Sequence, residues 1–210
     1  MNSEEILQDL ATQINGCHNC GLAQTRKHAV PGKGPANAEI MLIGEGPGFH
    51  ENEQGLPFVG QAGKFLDELL AAGGFEREKV FITNVVKCRP PGNRDPLPVE
   101  LEACQAYLDQ QIAAINPLII VTLGRFSMAR YFKDARISSI HGHASWIGSR
   151  FIIPMYHPAA ALHQPKIKPT ILQDFRQLSA LVEKARKSAS AHTDAPASND
   201  EDNATQLSFF

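Results

Sequence analysis

Apolar positions along this chain repeat with two different periods. Near the start Ile6, Leu7, Leu10 and Ile14 recur at helical spacing, with Ser3 before them as a cap and Gly16 after them as a stop. Residues 62–72 place Phe65, Leu66, Leu69 and Leu70 on one helical face. Residues 99–116 form a further helical stretch, ended by Pro117. Residues 124–132 begin another helix, and 170–187 read as one long amphipathic helix. Between these lie short continuous apolar runs at 39–44, 79–86, 118–123 and 151–155, the pattern of strands buried on both faces. Strands alternating with helices predict an α/β fold, a three-layer sandwich around a central, mainly parallel four-stranded sheet. From residue 188 onward Ala, Ser, Asn, Asp and Pro dominate. The expectation is one domain over 1–187 and a disordered polar tail over 188–210.

Charge changes this picture only slightly. The formal net charge is −2 over 210 residues, which by itself argues against a nucleic-acid partner. The segment 189–210, however, holds Asp194, Asp200, Glu201 and Asp202 and no Lys or Arg, so the body before it is mildly basic. No apolar run reaches the roughly 18 residues of a membrane span. The first residues, Asn2, Ser3, Glu4 and Glu5, have neither the basic nor the apolar character of a signal peptide, and the expected location is the cytoplasm. Disulfides are then unexpected for Cys17, Cys20, Cys88 and Cys104. A close C-x-x-C pair with two distant partners reads as a metal or cluster site, and four cysteines suit zinc and an iron–sulfur cluster equally by count.

Three polar loops follow predicted strands. The first contains Gly44, Glu45, Gly46, Pro47 and Gly48, then Glu51, Glu53, Gly55 and Pro57-Phe58-Val59-Gly60. It does not match the dinucleotide fingerprint, because the glycine spacing differs and Pro47 lacks a donor N–H. The second is Thr83-Asn84-Val85-Val86-Lys87-Cys88-Arg89-Pro90, continuing to Arg94. The third is His157-Pro158-Ala159-Ala160-Ala161-Leu162. Taken singly, Asn84 is a turn-maker or a core amide and His157 a structural histidine. Taken together, three loops at the same ends of neighbouring strands converge on one crevice.

These four segments, G-E-G-P-G, P-F-V-G-Q-A-G, T-N-V-V-K-C-R-P and H-P-A-A-A-L, together with the four cysteines, resemble in order and placement the motifs of family 4 uracil-DNA glycosylases. The resemblance runs from Cys17 to the helix after His157. It implies a monofunctional enzyme that flips uracil out of single- or double-stranded DNA and excises it for base excision repair. By the same resemblance Glu45, Gly46 and Pro47 would line the uracil pocket, Phe58 would stack on the base, Asn84 would read its edge, and His157 would donate to uracil O2. Cys17, Cys20, Cys88 and Cys104 would ligate a structural [4Fe-4S] cluster in preference to zinc.

The chemistry of base excision suits such a set. Flipping a base costs a few kcal/mol, and stacking on an aromatic ring returns about 1–3 kcal/mol. A histidine donor stabilises the departing uracil anion, and a carboxylate stabilises the sugar cation and orients water. Glu45 and Glu51 are the two carboxylate candidates. Lys87, Arg89, Arg94, Lys166 and Lys168 are expected at DNA phosphates. Residues 136–141 show no basic insertion of the kind that traps uracil-DNA covalently in a related group, so turnover is expected. The rival reading is a non-catalytic nucleic-acid-binding module stabilised by its four-cysteine site. Finally, Gln206, Leu207, Ser208, Phe209 and Phe210 resemble the short peptides that dock on the bacterial sliding clamp. A monomer working at the nucleoid is the expected physical state.

Overall fold

The computed structural model describes the backbone of residues 1–193 and the side chains of residues 1–189. Along the chain run α1 (Ser3–Asn15), β1 (Ile40–Gly44), α2 (Phe49–Gln54), α3 (Gln61–Ala72), β2 (Phe81–Asn84), α4 (Pro98–Ile115) and β3 (Ile119–Leu123). There follow α5 (Arg125–Met128), α6 (Ile137–Ile140), β4 (Ser145–Ile147), β5 (Arg150–Met155), α7 (Pro158–His163), α8 (Lys168–Arg176) and α9 (Leu178–Thr193).

The strands order as β2-β1-β3-β5-β4, with β2, β1, β3 and β5 parallel and β4 antiparallel to β5. Every residue of β1, β2 and β3 is buried. Helices therefore cover both faces, as the uninterrupted apolar runs require. Alternation along β1 sends Ile40 and Leu42 toward Phe65, Leu66 and Leu69 of α3, Phe175 of α8 and Val182 of α9. Met41 and Ile43 face the opposite way, toward Leu108, Ile112 and Ile115 of α4, with Leu7 of α1 packed beside them. The architecture is the expected α/β three-layer sandwich.

The sheet has five strands, not the four expected. The added β4 is a three-residue edge strand whose ends, Ser145 and Ile147, are exposed, so it leaves no apolar run. The stretch read as one helix over 170–187 is two, because the chain turns at Gln177 between α8 and α9. The second of these continues to Thr193, past the expected domain boundary at Lys187. The first helix is capped by Asn2, not Ser3. The Asn2 side chain accepts from the Glu5 N–H at 2.9 Å, and the Glu5 carboxylate accepts from the Asn2 N–H at 2.9 Å. At the far edge of the sheet the chain doubles back over β2, where Lys33 and Ile82 exchange two backbone hydrogen bonds of 2.9 and 2.8 Å. Among the described residues no helix is long and apolar enough to cross a membrane. The segment Gln206 to Phe210 lies outside the described residues.

From β1 the chain crosses to β2 on one side and then to β3 on the other. This reversal opens a crevice at the carboxyl ends of the strands, where the three predicted loops meet.

Candidate active site

A cavity of about 420 Å³ occupies this crevice, walled by Glu45, Gly46, Pro47, Phe58, Asn84 and His157 among others. Residues from four separate stretches of the sequence are thus brought together, as expected. The β1–β2 pairing continues past the strands, with the Val85 N–H donating to the Gly44 carbonyl and the Val86 N–H to the Glu45 carbonyl, both at 3.1 Å. This draws Glu45 alongside Asn84.

Asn84 ends β2 and is only 1 % exposed. Neither its Nδ2 nor its Oδ1 has a hydrogen-bond partner among the described residues, and it is the one residue with both side-chain polar atoms buried in this way. An unmade pair of this kind costs about 1–3 kcal/mol per group, and a folded chain keeps it where a ligand completes it. Gly44 lies opposite Asn84 in register. A Cβ at Gly44 would stand 2.4 Å from Asn84 Oδ1 and 2.7 Å from Phe58 Cζ, so only a bare backbone leaves both side chains their places.

Phe58 is buried and has a φ of +51°. A left-handed conformation of this kind costs a non-glycine residue about 1–3 kcal/mol and is held by its surroundings. Gly63, in the first turn of α3, provides part of that hold. A Cβ there would sit 1.9 Å from the Phe58 carbonyl oxygen. The Phe58 ring stacks on His157 with centroids 5.5 Å apart and planes 28° apart.

His157 follows β5 and caps α7, its Nδ1 accepting from the Ala159 N–H at 3.1 Å. Burial pushes its pKa down to about 4, against a smaller upward pull from Glu51. The ring is therefore neutral near pH 7, and with Nδ1 accepting, its proton belongs on Nε2. His157 is a neutral hydrogen-bond donor.

The two candidate carboxylates have different surroundings. Glu51 Oε1 accepts from the N–H groups of Val59 and Gly60, both at 2.9 Å, and Oε2 accepts from the Gly48 N–H at 3.1 Å. It staples the loop after β1 to the Phe58 turn and caps α2, a helix hidden in the sequence among glycines and prolines. Glu45 has no such clamp. Burial, and then the neighbouring Asp95, raise its carboxyl above the ordinary range, while Arg125 opposes them. Asp95, which lines the pocket, forms an exposed ion pair with Arg125. Neither was among the expected site residues, although Arg125 opens the helix just past the third strand, at the end of the sheet where ligands bind.

Of the residues expected at phosphates, Lys87 is misplaced. It is 1 % exposed, and its ammonium donates to Thr83 Oγ1 at 2.6 Å, Gln111 Oε1 at 2.7 Å and the Asn84 carbonyl at 2.8 Å. A fully enclosed ammonium cannot reach DNA, and burial lowers its pKa to about 7. Arg94 rims the cavity, held by Glu100 at 2.6 and 2.9 Å. Arg89 donates to Asn93 and stacks over the exposed Phe49 ring, 5.4 Å from its centroid. Lys166 is exposed, as is Lys168, whose ammonium lies 3.4 Å from Glu68 and over the Phe65 ring.

Cys17, Cys20, Cys88 and Cys104 line a second, small cavity. Among the described residues no three cysteine, histidine or acidic side chains converge closely enough for a single metal ion. Each sulfur of a subset is met by a donor. The Asn19 N–H lies 3.5 Å from Cys17, the Lys87 N–H 3.3 Å from Cys104, and the Arg26 guanidinium 3.2 Å from Cys88. Burial raises the Cys88 thiol, and the Cys104 thiol to about 11. Lys87 and Arg26 approach the cysteines, and neither pairs with a carboxylate among the described residues. Four thiols lining one cavity, with the Arg26 guanidinium against Cys88 to balance charge, suit a group that binds thiolates.

The profile of the uracil DNA glycosylase superfamily matches residues 31–178. The chain is 44% identical over 186 residues to the type-4 uracil-DNA glycosylase of Archaeoglobus fulgidus, covering 84% of this chain and 94% of that protein. It is 47% identical over 179 residues to the type-4 uracil-DNA glycosylase of Saccharolobus solfataricus, covering 80% and 83%. Against the type-5 uracil-DNA glycosylase of Thermus thermophilus the figure falls to 32% over 149 residues, covering 61% and 68%. With its three loops assembled around one pocket and these relatives matched over most of its length, the chain belongs to the uracil-DNA glycosylase superfamily, on its type-4 side.

Proposed function

We propose that this chain flips uracil out of DNA, hydrolyses its N-glycosidic bond and leaves an abasic site, as the opening step of base excision repair. The buried, unpartnered amide of Asn84 at the pocket wall carries the reading. Uracil offers an acceptor at O4 beside a donor at N3, which an amide matches with one donor and one acceptor. Cytosine reverses both, leaving the amide unpaired or turned. Phe58 supplies the stacking surface for the flipped base.

As the glycosidic bond lengthens, negative charge collects on uracil, and the Nε2–H of neutral His157 donates to O2 with growing strength. Glu45 faces the sugar cation and takes a proton from the attacking water. Glu51 is already saturated by three N–H groups and holds the loop that carries Phe58. Lys87, the lysine within the recognition motifs, is enclosed by three acceptors and cannot reach a sugar carbon, which supports hydrolysis without a Schiff base. The type-4 uracil-DNA glycosylases matched over most of the chain favour this reading over a non-catalytic binding module.

The four cysteines would hold a [4Fe-4S] cluster, which supplies cross-links and negative charge to the fold when bound. Purified protein should absorb broadly near about 400 nm, and Cys17→Ser should lose both that absorbance and stability. Stoichiometric zinc in a colourless protein would overturn this assignment. Arg89, Arg94, Lys166 and Lys168 are the candidate phosphate contacts on a monomer acting at the nucleoid. Gln206 to Phe210 would tether the enzyme to the sliding clamp, raising its effective concentration on newly copied DNA. Calorimetric titration of that peptide into clamp tests the tether, and absence of binding at high micromolar concentration ends it. The activity itself is tested by incubation with a uracil-containing oligonucleotide. Free uracil and an alkali-labile but uncut strand are expected, and no uracil release would overturn the reading.

A further inference from the structure

Lys87 is among the largest fully buried side chains of the described residues. Its three ammonium protons meet three acceptors, Thr83 Oγ1, Gln111 Oε1 and the main-chain carbonyl of Asn84. Those acceptors are themselves anchored. The Thr83 hydroxyl donates to the Pro31 carbonyl at 2.9 Å and Gln111 Nε2 donates to the same carbonyl at 2.7 Å. The network gathers α4, the loop at Pro31 and the end of β2 around one charge. Core filling alone does not call for this, because a methionine of similar length would fill the same space without a charge to desolvate. What an apolar side chain cannot do is grip a carbonyl.

The gripped carbonyl belongs to Asn84, whose own side chain is the only one with both polar atoms buried and unpartnered among the described residues. No hydrogen bond fixes where that side chain points, so its aim depends on its backbone and on the close packing at Gly44. The Lys87 N–H donates in turn to Cys104 Sγ at 3.3 Å. One residue thus has its main chain on the cysteine cavity and its side chain on the strand end that enters the pocket.

We propose that Lys87 is a positioning residue for base selection: its ammonium holds the Asn84 main chain and so sets where the Asn84 amide stands in the pocket. The proposal rests on the reading of Asn84 as the group that recognises uracil. It differs from a stabilising role because its effect on the reaction passes through Asn84 alone.

A double-mutant cycle on the full chain separates the two. Lys87→Met should slow single-turnover excision of uracil by about tenfold or more, since a misplaced reader loses much of one bidentate pairing. In an Asn84→Ala background the same change should alter the rate by less than about twofold, while lowering Tm as much as it does in the wild type. Equal rate losses in both backgrounds would make Lys87 structural only and overturn the proposal. Absorbance near about 400 nm should survive in Lys87→Met, because its bond to Cys104 comes from the backbone. Loss of that absorbance would place the effect at the cysteines and also overturn it. If Lys87→Met does not fold, Gln111→Met, which removes one acceptor from a different helix, takes its place in the cycle, with the same outcomes for and against. Absence of uracil release by the unmutated chain would instead remove the underlying reading, and the proposal with it.

Discussion

The wall of the pocket and the layer just behind it contain the same kinds of groups under opposite conditions. In the wall, Glu45 has no clamp and Asn84 has no partner. Behind it, Glu51 accepts three backbone hydrogen bonds and Lys87 donates three. Asn84 and Lys87 stand three residues apart and are equally buried, at 1 % exposure each. Burial or charge alone therefore does not mark a working group here. What separates the two layers is whether the hydrogen-bonding capacity has been used by the fold or left over for something else.

Exchanging groups across that divide should break the contrast most sharply. Glu45→Gln should lower the single-turnover rate by about 10²–10⁴-fold, the usual worth of a general base, without lowering Tm. Its raised carboxyl means the fold bears a cost above the folded pKa that is absent where both states are protonated. At neutral pH the glutamine variant should thus melt at or above the wild type, and a drop in Tm would return Glu45 to the supporting layer. Glu51→Gln should do the reverse in calorimetry, costing about 2–3 kcal/mol of stability through weakened bonds to a former charge. His157→Ala should cost about 10²–10³-fold in rate, as loss of an oxyanion donor does, with affinity for abasic DNA retained. An unchanged rate would make His157 only the cap of α7.

Smaller effects sharpen the comparison further. Asn84→Asp should relax the choice between uracil and cytosine by about tenfold, the scale of one altered base contact, measured on paired oligonucleotides. Unchanged discrimination would remove Asn84 from the wall. The titration of His157 should appear in stability, not in rate. With a folded pKa near 4 against an ordinary 6.5, the unfolded chain takes up a proton that the fold refuses between those values. Tm should therefore fall as pH drops through that window, and His157→Asn should flatten the slope. The acid limb of the rate should instead follow Glu45, with a midpoint above the ordinary 4.5.

Much of the scaffold was legible because parallel strands covered on both faces leave unbroken apolar runs. All four such runs became strands of the sheet. Where the signal was weak, the reading failed. The segment Ser145-Trp146-Ile147 is too short and too exposed to show alternation. The turn at Gln177 breaks a helix without Gly or Pro, so periodicity carried straight across it. The one-turn-and-a-half α2 lies where Gly and Pro announce only a loop. The pocket was legible from motif order and strand ends, yet its division of labour was not. The difference between Glu45 and Glu51 depends on three N–H groups from positions 48, 59 and 60, contacts that exist only after folding. Beside Cys88, Arg89 and Arg94 the sequence presents Lys87 as a phosphate contact, and its inward direction depends on acceptors such as Gln111, 24 residues away on α4, that folding brings to it.

The two edges of the sheet decide how the molecule meets its own copies. A long bare edge invites another chain to add a strand, the route into fibres and precipitates. One edge here is crossed by the chain itself at Lys33, which occupies both hydrogen-bonding groups of Ile82. The other is β4, three residues long and turned back at Gly148 with a φ of +59°. Neither offers the run of free amides that templated growth requires. Strand addition is thereby blocked at both edges of the described sheet, and one of the two blocks is the same short strand that the sequence conceals.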